Sequence, residues 1–206
     1  SVHADLGIAL AKQAWRARSD LRLVIMSATL DADAVSTYLD DCPIVEVAGT
    51  SYPLDVRYAP GLSIADAVGT CLQETSGQIL CFLPGAAEIG RGHRDVAPAT
   101  EGVEIVELHG SLDAAAQDAA IAPATRRRII LSTNIAETSL TVPGVAAVVD
   151  TGLHKVARYD PERAVDSLET ERISQDSADQ RSGRAARLGP GVAIRLWHER
   201  DRLRAH

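Results

Sequence analysis

Residues 128–134 read Arg128-Ile129-Ile130-Leu131-Ser132-Thr133-Asn134, an apolar run that ends in hydroxyl and amide side chains. A continuous apolar run of this length predicts a β-strand that is buried on both faces of a sheet. Further strands are predicted at 21–26, 44–47, 56–58, 78–83, 103–108, 145–149 and 192–196, and helices at 31–39, 63–74, after Gly85 and at 113–121. This alternation predicts an α/β fold, a mostly parallel sheet with helices on both faces.

Polar clusters directly follow four of the predicted strands, at 27–29, 84–85, 109–111 and 133–134. The carboxyl ends of parallel strands meet at one edge of the sheet, and ligands of such folds bind at that edge. Each cluster alone is more typical of an ordinary loop than of a binding site. Four clusters at the same edge predict a cleft.

Composition limits what the chain can be. Its 206 residues suffice for one large domain or one and a half smaller ones, and 46% of them are hydrophobic. No apolar run approaches the roughly 20 residues of a membrane span, and the first residues have no signal-peptide pattern, so we expect a soluble, cytoplasmic protein without membrane association. Three cysteines without metal-ligand spacing predict buried free thiols and no metal site.

The net charge of −7 is unevenly distributed. Residues 1–120 contain 7 basic and 17 acidic side chains, whereas residues 121–206 contain 14 and 11. This asymmetry is compatible with a groove for a polyanion in the last third of the chain. With seven aromatic residues, the chain offers little for base stacking, which favours contacts to a nucleic-acid backbone.

Two segments of the chain interrupt the alternation of strands and helices. Residues 48–53 are rich in turn formers and predict an interdomain boundary. Residues 155–171 contain two alternating segments around a turn at 160–163, which predicts a β-hairpin. From the pattern alone, a charged sheet edge explains this hairpin better than a function does.

Residues 180–187 read Gln180-Arg181-Ser182-Gly183-Arg184-Ala185-Ala186-Arg187. Three arginines at every third position predict, on a helix, a fork of guanidinium groups that converge on one point. Guanidinium donors match phosphate oxygens in pairs and serve as arginine fingers in phosphoryl transfer. The alternative is a solvated basic helix face.

Three motifs together resemble the DEAH-box RNA helicases: Ser27-Ala28-Thr29, then Thr133-Asn134-Ile135-Ala136-Glu137-Thr138-Ser139-Leu140-Thr141, then residues 180–187. Residues 109–118 add a resemblance to the bacterial HrpB-type helicases of that family. The resemblance covers essentially the whole chain. It implies a RecA-like P-loop NTPase helicase fold, in which residues 1–49 are the C-terminal part of a first RecA-like domain and residues 50–206 are the second.

The same resemblance implies an ATP-dependent RNA helicase that couples NTP hydrolysis to RNA binding and unwinding. No Gly-x-x-x-x-Gly-Lys-Ser/Thr loop occurs in the chain, and the family's Asp-Glu-x-His box would precede Ser1. We therefore expect ATP and Mg²⁺ to be held mainly by residues that this chain lacks, so that the isolated chain is inactive. The alternative is a non-catalytic RNA-binding or interaction module.

The resemblance also assigns roles to individual residues. Arg184 and Arg187 resemble the fingers that contact the γ-phosphate, and Gln180 resembles a residue that positions the phosphate or the attacking water. Ser27 and Thr29 resemble the element that couples hydrolysis to domain movement. Contacts to the RNA backbone are implied for Gly110, Thr133, Asn134 and Ser139, and strand separation for the hairpin tip formed by Asp160, Pro161, Glu162 and Arg163.

Three positions depart from the family pattern. Ala186 stands where glycine is usual, which a helical backbone tolerates. Ile121 replaces an aromatic residue that stacks on adenine in many relatives, and Pro143 replaces an aspartate that often approaches the ribose. These two changes predict weak discrimination among nucleoside triphosphates.

Overall fold

The computed structural model describes residues 2–26, 31–46, 52–138, 140–160, 165–201 and 203–204. The chain divides into two compact units, residues 1–49 and residues 50–206.

The first unit contains two helices, α1 (Val2–Ala17) and α2 (Ala32–Tyr38). Asp31 caps the amino end of α2 by accepting a hydrogen bond from the backbone of Ala34 at 3.0 Å. After α2, Asp40 forms ion pairs with Lys12 and Arg16 of α1, at 3.0 and 2.8 Å. These contacts join the two helices of the unit.

The prediction of strands at 21–26 and 44–47 is wrong for those of these residues that the structure describes. Residues 21–26 and 44–46 form no strand, and Val24 and Val45 are 75% and 82% exposed. A strand requires a neighbour for its backbone N–H and C=O groups, and the described residues of this unit supply none. Apolar composition alone therefore does not produce a strand here.

The second unit is built on a six-stranded sheet with the order β1-β8-β5-β2-β4-β3. Its strands are β1 (Leu54–Tyr58), β2 (Gln78–Phe82), β3 (Glu104–Leu108), β4 (Arg128–Ser132), β5 (Val145–Asp150) and β8 (Gly191–Arg195). Every pairing in the sheet is parallel, as predicted from the apolar runs. The four central strands lie within one residue of their predicted bounds.

The helices of this unit are α3 (Ile64–Glu74), α4 (Ala86–Val96), α5 (Ala114–Ile121), α6 (Ile135–Thr138) and α7 (Gln175–Gly183), with 3₁₀ turns at Ala97–Ala99 and Arg184–Ala186. Ser63 caps α3, Asp113 caps α5 and Ser174 caps α7, each through a side-chain oxygen that accepts a backbone N–H. These caps set where the helices begin.

The core lies on both faces of the sheet. Alternate residues of β2 face opposite ways: Ile79 and Cys81 pack with α3 and α4, while Leu80 and Phe82 pack with α5 and α6. The described strands β2 and β4 are completely buried along their length. Helices therefore cover both faces, as the continuous apolar runs predict.

A two-stranded antiparallel hairpin stands apart from the sheet. It consists of β6 (Leu153–Asp160) and β7 (Val165–Arg172), and its register pairs Leu153 with Arg172 at the base and Asp160 with Val165 near the tip. The predicted hairpin is confirmed. All three cysteines are free; Cys71 and Cys81 are buried as predicted, whereas Cys42 is only half-buried.

Candidate functional site

Loops that follow β3 and β4 bring three of the predicted RNA contacts to one edge of the sheet. The backbone N–H of Thr133 donates to the Leu108 carbonyl at 3.2 Å, which ties the ends of these neighbouring strands together. Gly110 and Asn134 are exposed, and Thr133 is half-buried. This edge therefore presents backbone, hydroxyl and amide groups to solvent.

Arg181, in contrast, is completely buried. Its Nε donates to Glu137 Oε2 at 2.8 Å and its Nη1 to Asp150 Oδ1 at 3.0 Å, and its guanidinium lies 4.8 Å from the centre of the Phe82 ring. The ion pairs join α7 to α6 and to the end of β5. Arg181 is thus unavailable to a ligand.

The prediction that Arg181, Arg184 and Arg187 converge on one point is therefore wrong. Positions three apart on an α-helix are offset by about 60°, so Arg181 and Arg187 would lie about 120° apart even on a continuous helix. Moreover, α7 ends at Gly183, and residues 184–186 form a 3₁₀ turn. The backbone of Ala186 is helical there, which alanine adopts without strain.

Arg184 is 5% exposed and bonded to one backbone carbonyl within α6 and one just after it. Its Nη1 donates to the Leu140 carbonyl at 2.9 Å, and its Nε donates to the Glu137 carbonyl at 3.1 Å, with Nη2 on the same oxygen. Burial, together with the nearby Arg187, lowers the pKa of Arg184 to about 10. The side chain remains a cation at neutral pH.

Gln180 and Arg187, the first and last residues of the motif at 180–187, are exposed. Between them, residues 181–182 and 184–186 are buried. Gln180 lines a cleft of about 710 Å³ between α7 and the hairpin. Among its other lining residues are Asn134, Glu137, His154, Arg158 and Arg204. The cleft thus connects a predicted catalytic residue with a predicted RNA contact.

Sequence reasoning did not single out Glu137 and Asp150, the two carboxylates that pair with Arg181. Asp150 is completely buried at the end of β5, and burial raises the pKa of its carboxyl; the Arg181 guanidinium opposes that rise only in part. The signal in the sequence was a carboxylate at the end of an apolar strand, which requires a buried cation as its partner.

Several predicted site residues lie outside the described part of the chain: Ser27, Thr29, Ser139, Pro161, Glu162 and Arg163. Asp160 ends β6, and its backbone alone is described. Ile121 and Pro143 are the two positions predicted to weaken nucleotide discrimination. Ile121 is the last residue of α5 and packs against the core, and Pro143 is half-buried.

The donors present suit phosphate groups better than a divalent metal. Gln180 and Arg187 offer exposed amide and guanidinium groups, whereas the Arg184 guanidinium is bonded to backbone carbonyls. Among the described residues, no group of three or more His, Cys, Asp or Glu side chains is placed to hold a metal ion. Within the same residues, no helix combines the length and the apolar character of a membrane span.

Comparison with known proteins identifies the family. The helicase conserved C-terminal domain matches residues 63–189. The chain is 41% identical to the ATP-dependent RNA helicase HrpB of Escherichia coli K12, and 39% identical to HrpA of the same organism; the matches cover 100% and 98% of this chain. The human protein named probable ATP-dependent RNA helicase DHX34 is 36% identical over 97% of the chain.

The chain is also similar to a crystal structure of the E. coli DExH-box NTPase HrpB, with a TM-score of 0.79 and 40% identity over the whole chain. It spans 27% of the length of that protein and 17% of HrpA. The chain therefore belongs to the helicase conserved C-terminal domain family, in its DEAH/RHA branch, and has the RecA-like α/β fold of those helicases.

Proposed function

We propose that the chain is the second motor domain of an ATP-dependent RNA helicase, preceded in residues 1–49 by the end of the first. Its relatives are named ATP-dependent RNA helicases. The observation that carries the proposal is the bonding of Arg184 to the carbonyls of Glu137 and Leu140, which joins a candidate nucleotide-sensing residue to a candidate RNA-binding segment.

RNA would be held by its backbone. Gly110, Thr133 and Asn134 offer groups that suit phosphate and ribose oxygens, and Ser139 follows five residues after Asn134 in the sequence. Because backbone, hydroxyl and amide groups of this kind mostly contact phosphate and sugar in nucleic-acid complexes, we expect binding without sequence preference. The tip of the hairpin, residues 160–163, would separate the strands of a duplex.

ATP, with Mg²⁺, supplies the phosphoryl group whose transfer to water releases free energy. Arg184 and Arg187 would donate to its γ-phosphate oxygens, and Gln180 would orient the phosphate or the attacking water. To reach the phosphate, Arg184 must leave the carbonyls of Glu137 and Leu140, which frees the segment that carries Ser139. Ser27 and Thr29 would transmit hydrolysis to domain movement.

The substitution Arg184→Ala in the full-length helicase tests this function. Loss of an arginine finger that acts fully costs on the order of 10³–10⁵ in turnover. We expect the turnover number of RNA-stimulated hydrolysis to fall by a factor in that range. RNA affinity, measured by fluorescence anisotropy, should stay nearly unchanged.

Arg128 provides a matched control for this substitution. It is also 5% exposed and donates to two backbone carbonyls, those of Ala119 and Ala122, at 3.3 and 2.5 Å. Arg128→Ala should therefore cost stability without abolishing turnover. If Arg184→Ala weakens RNA binding and leaves hydrolysis intact, the chain is instead a non-catalytic RNA-binding module.

A further inference from the structure

One guanidinium joins three elements of the second unit. Arg181 of α7 donates to Glu137 in α6 at 2.8 Å, to Asp150 at the end of β5 at 3.0 Å, and to the carbonyl of Leu153 at 3.3 Å. Leu153 is the first residue of the hairpin. Arg181 is thus bonded at once to the helix beside the candidate RNA contacts and to the base of the hairpin.

The base of the hairpin is bonded on both of its strands. Asp150 Oδ1, which accepts from Arg181, also accepts from the backbone N–H of Gly152 at 2.8 Å. The carbonyl of Gly152 accepts from Ile173, directly after β7, at 3.0 Å. Gly152 itself has a φ of +73°, and a Cβ there would lie 2.7 Å from the Trp197 ring. The orientation of the hairpin is therefore tied to Asp150.

Glu137 forms the other end of this network. Its carboxylate accepts from Arg181 and, at 2.5 Å, from the Ser177 hydroxyl, while its backbone carbonyl accepts from Arg184. If Glu137 shifts when Arg184 leaves its backbone carbonyl, the carboxylate of Glu137 shifts as well. Arg181, which is bonded to that carboxylate, must then change its position. The network thus connects the position of Arg184 with the base of the hairpin.

The composition of the network fits such a connection better than it fits stabilisation alone. Arg181 and Asp150 are completely buried, Glu137 is half-buried at the edge of the cleft, and Arg181 Nη2 and Asp150 Oδ2 have no hydrogen-bond partner among the described residues. Apolar side chains of similar volume often stabilise a protein as well as a buried ion pair does. Ionic bonds, however, impose direction and distance on the groups they join.

We propose that Arg181 is a positioning residue that makes the hairpin follow the nucleotide-dependent segment 137–140. When Arg184 leaves the carbonyl of Glu137, Glu137 is free to shift, and Arg181 transmits that displacement through Asp150 and Leu153 to the hairpin. This inference rests on the proposed function, because it assumes that Arg184 senses the nucleotide and that the hairpin separates strands.

The test uses Asp150→Asn in the full-length helicase, with RNA-stimulated ATP hydrolysis and the unwinding of a forked RNA duplex measured on the same preparation. Asparagine keeps the size of the side chain and an acceptor for Gly152, but it removes the charge that fixes Arg181. We expect the number of duplexes separated per ATP hydrolysed to fall by roughly two- to thirtyfold, the range typical of residues that couple two sites. Hydrolysis itself should stay near the wild-type rate.

Asp179→Asn is the matched control. Asp179 lies on the same helix and pairs with another buried arginine, Arg195, at 2.7 Å. Arg195 also donates to Ser182 and Tyr58, but within the described part of the chain it donates no hydrogen bond to α6 or the hairpin. Removing this charge should leave the ratio of unwinding to hydrolysis unchanged. Glu137→Gln, which removes the charge at the opposite end of the network, should lower the ratio, and the double variant should lower it less than the two effects combined.

Each outcome has a defined meaning. A wild-type protein without RNA-stimulated hydrolysis or unwinding contradicts the proposed function itself. An active wild type with the same ratio in Asp150→Asn and Glu137→Gln overturns the role of Arg181 alone. Equal loss of both activities, or failure of both variants to fold in a thermal melt, also overturns it, because the network would then serve stability only.

Discussion

Similar apolar sequences form different structures in the two units. The apolar runs at 21–26 and at 128–132 both predict buried strands, yet only the second forms one. β4 pairs with β2 and β3 and is completely buried, whereas Val24 in the first run is 75% exposed. The difference teaches that an apolar run becomes a strand only where neighbouring strands satisfy its backbone.

Paired carboxyl groups also behave differently in the two units, because their pKa values shift in opposite directions. In the first unit, hydrogen bonds from Lys12 and Arg16 lower the pKa of the exposed Asp40. In the second, Asp150 also pairs with an arginine, but burial raises its pKa. A guanidinium beside a carboxylate therefore does not fix the sign of the pKa shift; the degree of burial does.

The largest difference between the units should come from Arg181→Met. This change leaves the buried carboxylate of Asp150 without its cation and removes the partner of the half-buried Glu137, which should lower the free energy of unfolding by about 3–5 kcal/mol. Urea unfolding can be followed in a Trp15→Phe background, where the fluorescence of Trp197 reports on residues 50–206 alone.

Arg16→Met in the first unit is the control. Arg16 is 60% exposed and pairs with Asp40 at the surface, so its loss should leave the unfolding curve of Trp15 in a Trp197→Phe background unchanged. If both methionine variants shift their curves equally, burial does not distinguish the two ion pairs.

Cysteine reactivity gives a second, smaller contrast. Burial raises the pKa of Cys71 to about 11, and raises that of Cys81 well above its ordinary value, whereas the Cys42 side chain is half-buried. A rise of two pH units reduces the thiolate fraction about a hundredfold. Cys42 should therefore react with iodoacetamide first at pH ~8, as measured by tandem mass spectrometry over time.

Urea should abolish this order, since all three thiols are then exposed alike. Rapid native labelling of Cys71 would show instead that α3 opens readily, and that the core of the second unit is less protected than its burial indicates.

The smallest effect should be a difference in pH dependence between Asp150→Asn and Asp40→Asn. The raised pKa of Asp150 means that its stabilising contribution is full below its ordinary value of 3.8 and is lost as the pH rises through the raised value. Relative to wild type, Asp150→Asn should therefore gain stability as the pH rises from about 4 to 7.

Asp40 has a lowered pKa, so its contribution is present above 3.8 and is lost as the pH falls through the lowered value. Asp40→Asn should be slightly less stable than wild type at neutral pH, and acidification should remove that difference. Urea midpoints at several pH values, read from the two tryptophan backgrounds, measure both trends. The same sign for both variants would contradict the assignment to burial.

The sequence predicted the sheet and helices of residues 50–206 well because their signals are local. Ser63 and Asp113 mark helix starts through their own side chains, and the strands are continuous apolar runs. The burial of Arg181 could not be predicted in this way. Its partners, Glu137 and Asp150, lie 44 and 31 residues away, and the 3-residue spacing of the arginines indicated a surface fork.

The carbonyl bonds of Arg184 have a consequence for selectivity among anions. A guanidinium that is already satisfied by two backbone oxygens gains little from a weak or singly charged anion, which cannot compensate for the bonds it displaces. A polyphosphate offers several charged oxygens at once and can. If Arg184 contacts the γ-phosphate as proposed, the carbonyls of Glu137 and Leu140 thus favour a polyphosphate over a monovalent anion such as chloride.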